Sequence, residues 1–110
     1  MDAFEIGEVI TQHQQEGKLY HEFFRTEKLS LGVYVLKAGK DDPQRPHSEE
    51  EVYYVLEGQG TIQVAGENRP VSAGSTIFVD VGIEHRFHTI TQDLKILVFW
   101  APPWRSQAVS

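Results

Sequence analysis

From residue 19 onward the chain is cut into short stretches of alternating apolar and polar residues, and glycine or proline stands at most of the cuts. That punctuation constrains the fold more than any other feature, because a period of two belongs to strands and the breaks are too frequent for crossover helices. Leu29, Leu31, Val33 and Val35 share one parity, and Ile62 and Val64 alternate with Thr61 and Gln63. The pattern predicts strands over Leu19–Arg25, Leu29–Lys37, Glu51–Leu56, Thr61–Ala65, Ser75–Val81, His85–Ile90 and Leu94–Trp100. A turn-rich stretch, Ala38–Ser48, carries Gly39, Pro43 and Pro46; Gly58-Gln59-Gly60 reads as a tight turn and Gly66 opens another. Short, regularly spaced strands of this kind predict an all-β sandwich or barrel rather than a parallel sheet.

The exception is the N-terminus. Ile6, Val9, Ile10 and His13 fall on one helical stripe and predict a short helix over Ala3–Glu16, with Asp2 and Glu5 as a capping box and Gly17 as the C-cap. At 110 residues the whole chain, 1–110, is expected to form a single domain. Ala101, Pro102, Pro103 and Trp104 open a tail that cannot continue a central strand.

Composition narrows function by exclusion. With no cysteine, the chain has no disulfide, thiol nucleophile, Cys-zinc site or iron–sulfur cluster. A net charge of -6 argues against binding nucleic acid or an anionic membrane surface. The longest apolar run, Leu97–Ala101, is too short to span a bilayer, and Met1–Thr11 has neither the basic nor the apolar stretch of a secretory signal, so the expected location is the cytoplasm. Two predicted strands are apolar on both parities: Val52, Tyr54 and Leu56 oppose Tyr53 and Val55, and Ile96, Val98 and Trp100 oppose Leu97 and Phe99. A half-solvated antiparallel strand would show a polar face, so something must cover this one, and a homodimer is expected.

The residues fit for chemistry are histidines and carboxylates. His47 is followed by Glu49, Glu50 and Glu51; in an extended segment His47, Glu49 and Glu51 share parity, while His85 shares parity with Phe87 and His88 faces the other way. Imidazole and carboxylate ligands suit Zn, Fe, Mn or Ni. Residues alone leave a plainer reading open, in which His47 is a turn residue and the glutamates are a solvated face.

The stretches RPHSEEEVYYVLEGQG and GSTIFVDVGIEHRFHT resemble the two motifs of the cupin superfamily. In the first, Gly39, His47, Glu51 and Gly58 stand in register, but Arg45 occupies the position of the first histidine; in the second, Gly74, Gly82 and His85 match, with Asp80 and Thr89 replacing a proline and an asparagine. The resemblance implies a jelly-roll β-barrel with a metal inside it. It implies His47, Glu51 and His85 as ligands, a two-His, one-carboxylate set that leaves open positions and suits Fe(II) best, with Mn, Ni or Zn also fitting. It points to a small-molecule ligand or substrate, and either to metal-dependent chemistry such as a dioxygenase or to a non-catalytic binding or structural module. Glu51 or Tyr53 would carry protons, and Tyr53 and Phe87 would line the cavity, with Tyr34 a weaker lining candidate. Arg45 either leaves the barrel, which Pro46 permits, or meets an anionic substrate at the metal, or replaces the metal by pairing with Glu51. Glu49 and Glu50 are expected to face solvent.

Overall fold

The structure, a computed structural model, describes residues 1–17, 19–43 and 46–105. It contains α1 (Ile6–Glu16), β1 (Tyr20–Arg25), β2 (Ser30–Leu36), β3 (Glu50–Val64), β4 (Glu67–Ser72), β5 (Thr76–Val79) and β6 (His85–Ala101). The strands are antiparallel and form one sheet in the order β1-β2-β6-β3-β4, with β5 paired to β3. Among the described residues no helix is long and apolar enough to cross a membrane.

Two long strands make this sheet a barrel. The segment Gly58–Gly60 is not a turn: Glu51–Leu56 and Thr61–Ala65 belong to one strand, β3. Likewise His85–Ile90 and Leu94–Trp100 are one strand, β6. Each bends at its middle. The β3–β6 register slips between Val55 and Thr61, and Gly58 (φ 104°) and Thr89 (φ 49°) adopt left-handed backbone there. Gly58 is required twice over, since a Cβ would also stand 2.2 Å from the carbonyl oxygen of Asp93. The first half of β3 runs between β5 and β6, the second half between β4 and β6. The bends fold one half over the other. Tyr53 pairs with Val98 and Phe87 with Ile62, yet the Tyr53 and Phe87 rings meet face to edge, 5.0 Å between centroids. The core lies between these layers and includes Tyr53, Val55, Ile62, Phe87, Ile96 and Val98.

β4 was not expected. Apart from Pro70 and Val71 its residues are charged or polar, and only Val71 is buried, as suits an edge strand. The helix begins at Ile6, not Ala3. Glu5 is its N-cap and makes no side-chain capping bond, so the Asp2 capping box does not form; Gly17 (φ 68°) does close the C-terminus, its N–H donating to the His13 carbonyl. Val9 packs on Val33 and Val35, so α1 covers the outer face of β1 and β2. It leaves the outer face of β3, β5 and β6 bare: Tyr54, Phe78 and Phe99 are exposed there.

Candidate metal centre

Three elements bring the site together. His47 lies on the loop before β3, Glu51 on the first half of β3 and His85 at the start of β6. The His47 loop is fixed because its carbonyl accepts the Gly82 N–H at 2.7 Å, which ties the first motif to the turn just before His85. Glu51 points inward by parity, between the buried neighbours Val79 on β5 and Trp100 on β6. One ligating atom from each of His47, Glu51 and His85 lies within 4.8 Å of the others.

The orientation of each group suits a cation. His85 Nδ1 donates to the Ile83 carbonyl at 2.9 Å, which aims Nε2 into the site and fixes its tautomer. Nε2 stands 3.2 Å from Glu51 Oε1, but without the alignment of a hydrogen bond. Neither oxygen of Glu51 nor His85 Nε2 has a hydrogen-bond partner, and both residues are buried, at 2% and 3% exposure. Orphaned buried polar atoms of this kind are costly, and a divalent cation would satisfy all of them at once. The His47 ring is half-buried, 5.3 Å from the His85 ring and edge-on to Trp100 at 4.7 Å.

The charges agree with that geometry. Burial pushes the Glu51 carboxyl up, and the nearby His85 and Tyr53 side chains only partly oppose it. Burial alone would lower His85, but Glu51 and the Ile83 carbonyl outweigh it and raise its pKa. His47 is held down by burial and by the charge of His85, so it stays neutral and able to ligate. The donor set of two imidazoles and one carboxylate fits a divalent transition metal.

Tyr53 and Phe87 both stand where parity put them, fully buried beneath the ligands, with Tyr53 6.1 Å from the His85 ring. His88 turns away and hydrogen-bonds Asn68 and Thr89. Glu50 is exposed as expected. Arg45 lies outside the described residues.

Glu49 is the correction. It is 4% exposed, not solvent-facing, because its carboxylate accepts the backbone N–H of Arg105 and the hydroxyl of Ser48. The sequence carries no local sign of a contact made with the far end of the chain. Asp42 was also missed. It is buried beside the site, where it accepts the Tyr34 hydroxyl at 2.5 Å and the Phe87 N–H at 2.9 Å. Tyr34, a weaker lining candidate, is thereby tied to the loop, and its hydroxyl pKa is raised by burial and by Asp42. An aspartate next to Pro43 in a turn-rich stretch gave no reason to expect burial.

Comparison with known proteins places this geometry. Residues 32–101 match the family described as Cupin domain. An uncharacterised protein of Streptomyces coelicolor is 39% identical over 94% of this chain and 98% of its own length. Among solved structures, a double-stranded β-helix protein of the RmlC-like cupin family from Methanocaldococcus jannaschii superposes with a TM-score of 0.69 at 18% identity, covering 77% of this chain and 80% of that one. A DMSP lyase from Ruegeria pomeroyi superposes with a TM-score of 0.68 at 24% identity, over 77% of this chain but only 42% of the lyase. At these identities the two structures share a fold with the chain.

Proposed function

The chain belongs to the cupin domain family, and on that premise we propose that it is a small metal-binding cupin in which His47, Glu51 and His85 hold one divalent transition metal. The observation that carries this reading is the trio of unsatisfied buried atoms, Glu51 Oε1, Glu51 Oε2 and His85 Nε2, facing a half-buried neutral imidazole. Fe(II) suits the donor set best, with Mn, Ni and Zn as competitors. When bound, such a metal supplies redox or Lewis-acid chemistry to a small organic molecule at the positions the protein leaves open. Dioxygenase chemistry is the enzymatic form of the proposal. Within it, Glu51 and Tyr53 are the groups beside the centre able to hold or move a proton, and Phe87 N–H, fixed by Asp42, keeps the wall beneath them rigid.

Elemental analysis of untagged protein, followed by anaerobic titration with Fe(II), Mn, Ni and Zn, tests the reading. One equivalent of metal and a rise in melting temperature are expected for wild type. His85→Ala is expected to fold and to bind at least 100-fold more weakly. A wild-type chain that takes up no metal sinks the proposal. Nitric oxide added to the Fe(II) form separates the branches: an iron–nitrosyl spectrum supports a centre open to O2, and bound iron without it leaves a non-catalytic binding or structural module.

The bare outer face supports a second copy of the chain as partner. Val52 pairs with Phe78 on one side and Phe99 on the other, and Tyr54 pairs with Leu97. Phe78, Phe99 and Tyr54 are 55%, 40% and 40% exposed. With their half-buried neighbours they offer roughly 400 Å² of apolar side chain, about half of what each partner contributes to a standard interface, the rest being polar rim. Light scattering should find a dimer at micromolar concentration, and Phe99→Asp should shift it to monomer while the fold persists. A wild-type monomer ends the idea.

A further inference from the structure

The second half of β3, between β4 and β6, carries a polar arrangement that the candidate centre does not use. His88 on β6 stands opposite Thr61 on β3, and Asn68 on β4 stands opposite Gln63. Phe87 and Ile62 fill the core. Their strand neighbours His88, Thr61 and Gln63 therefore face outward. From there the His88 ring reaches across β3. Its Nε2 lies 2.7 Å from Asn68 Oδ1, and its Nδ1 lies 2.9 Å from Thr89 Oγ1.

The direction of each hydrogen bond follows from its partners. An amide oxygen only accepts, so Nε2 carries the ring proton and donates it to Asn68. Nδ1 is left with a lone pair, and the Thr89 hydroxyl is the donor to it. A hydroxyl thus points its proton at the basic nitrogen of an imidazole, and an amide on a third strand holds the tautomer. These are the roles of a nucleophile, its general base and the group that orients the base. Thr89 is exposed and His88 half-buried, so a reagent from solvent can reach the hydroxyl.

The backbone is a second observation. Thr89 has φ 49°, a left-handed conformation that glycine or asparagine adopts readily and a β-branched residue only at a cost. In a regular strand the side chains of residues 88 and 89 would point to opposite faces. The left-handed turn at Thr89 brings its hydroxyl round to the His88 ring instead. Local strain is what sets this hydroxyl against its base.

We propose that Thr89 is an acylation site: its hydroxyl, activated by His88, takes the acyl group of small activated oxygen esters. The inference is independent of the metal-binding reading. In the first step the bond from Thr89 Oγ1 to the carbonyl carbon forms, and the bond from that carbon to the leaving oxygen breaks. The hydroxyl proton passes to His88 Nδ1 and from there to the leaving oxygen. Asn68 keeps hold of the Nε2 proton throughout, which steadies the doubly protonated ring between the two transfers. Water attacking the new ester, with its proton taken by the same Nδ1, releases the carboxylic acid and returns the free hydroxyl. Asn68 is a positioning residue, since it acts through His88 and does not touch the donor.

The probe is p-nitrophenyl acetate, added to the full-length chain and read by intact mass and peptide mapping. Alkaline hydroxylamine separates the products, because it cleaves an acetyl ester and leaves acetylated amines intact. Wild type should gain a hydroxylamine-labile acetyl group on Thr89 ahead of any other hydroxyl. Thr89→Val should lose it, and Thr89→Ser should keep it at the same position. His88→Gln should slow the labelling about 100-fold. Asn68→Leu should slow it about tenfold, and Asn68→Asp, which accepts the same ring proton, should restore it. The serine and aspartate variants keep the test decisive if the valine or leucine variant does not fold. Thr89 left unlabelled, or labelled no faster than other exposed hydroxyls, overturns the proposal. So does a folded His88→Gln protein that is acetylated on Thr89 at the wild-type rate.

Discussion

Two buried carboxylates stand within one small barrel and do opposite things. Asp42, on the loop after β2, is 7% exposed and is met by neutral donors, the Tyr34 hydroxyl and the Phe87 N–H. Glu51, on β3, is 2% exposed and has no aligned donor on either oxygen. The first is mortar: it fastens a loop to two strands through hydrogen bonds from both. The second bears a desolvation cost that the nearby His85 and Tyr53 side chains offset only in part. Burial alone therefore does not mark a candidate ligand carboxylate. What marks it is burial with its hydrogen bonds unmade and imidazoles across from it.

The largest effect should come from removing the mortar. Asp42→Ala strands a hydroxyl and an amide in the core, and is expected to lower stability by roughly 3 kcal/mol, on the order of 15 °C in melting temperature. Asp42→Asn keeps an acceptor and should lose about a third of that. Urea titration checks both, and a loss for Asp42→Ala below about 1 kcal/mol would erase the contrast.

Glu51→Met should behave in the opposite sense. In metal-free protein it replaces a carboxyl that burial pushes toward its neutral form by an apolar group of similar size, and the His85 left behind can shed its proton, so stability should stay within about 1 kcal/mol of wild type. Metal binding should vanish. A large destabilisation of the metal-free chain would show that Glu51 is mortar too.

The smallest effect is one of pH. The raised pKa of His85 means the folded empty site holds its proton more tightly than the unfolded chain. That contribution to stability is full below the ordinary histidine value of about 6.5 and is lost as pH rises through the folded value. A metal must displace the same proton, so its affinity should climb across that window, by up to about tenfold per pH unit. Melting curves at several pH values with and without Mn(II) should therefore diverge toward alkaline pH; parallel curves would mean that no proton leaves His85.

Alternation in the sequence located most strands; parity left His47, Glu51 and His85 as one reading among others, and it was the resemblance of the two motifs to cupins that singled them out as a set. The joins were harder to read. Gly58 and Gly60 look like a turn because glycine permits both a turn and a bent strand, and only the Asp93 carbonyl across the sheet decides between them. β4 escaped because an edge strand need bury just one residue, Val71. Glu49 and Asp42 escaped for a different reason: their partners lie 56 and 45 residues away, at Arg105 and Phe87, and no local pattern encodes such a meeting.

The long bent pair also has a consequence in time. β3 and β6 pair in nested register, with Val64 opposite His85 at the inner end and Glu50 opposite Ala101 at the outer. Closing the inner end spans the shorter loop and has the lower entropic barrier, so pairing proceeds from there outward through the bend, like a zipper. His85 sits where the zipper starts and Glu51 where it ends. The candidate cation site therefore does not exist on a half-closed chain, and a metal taken up there would register a barrel whose last rungs are already in place.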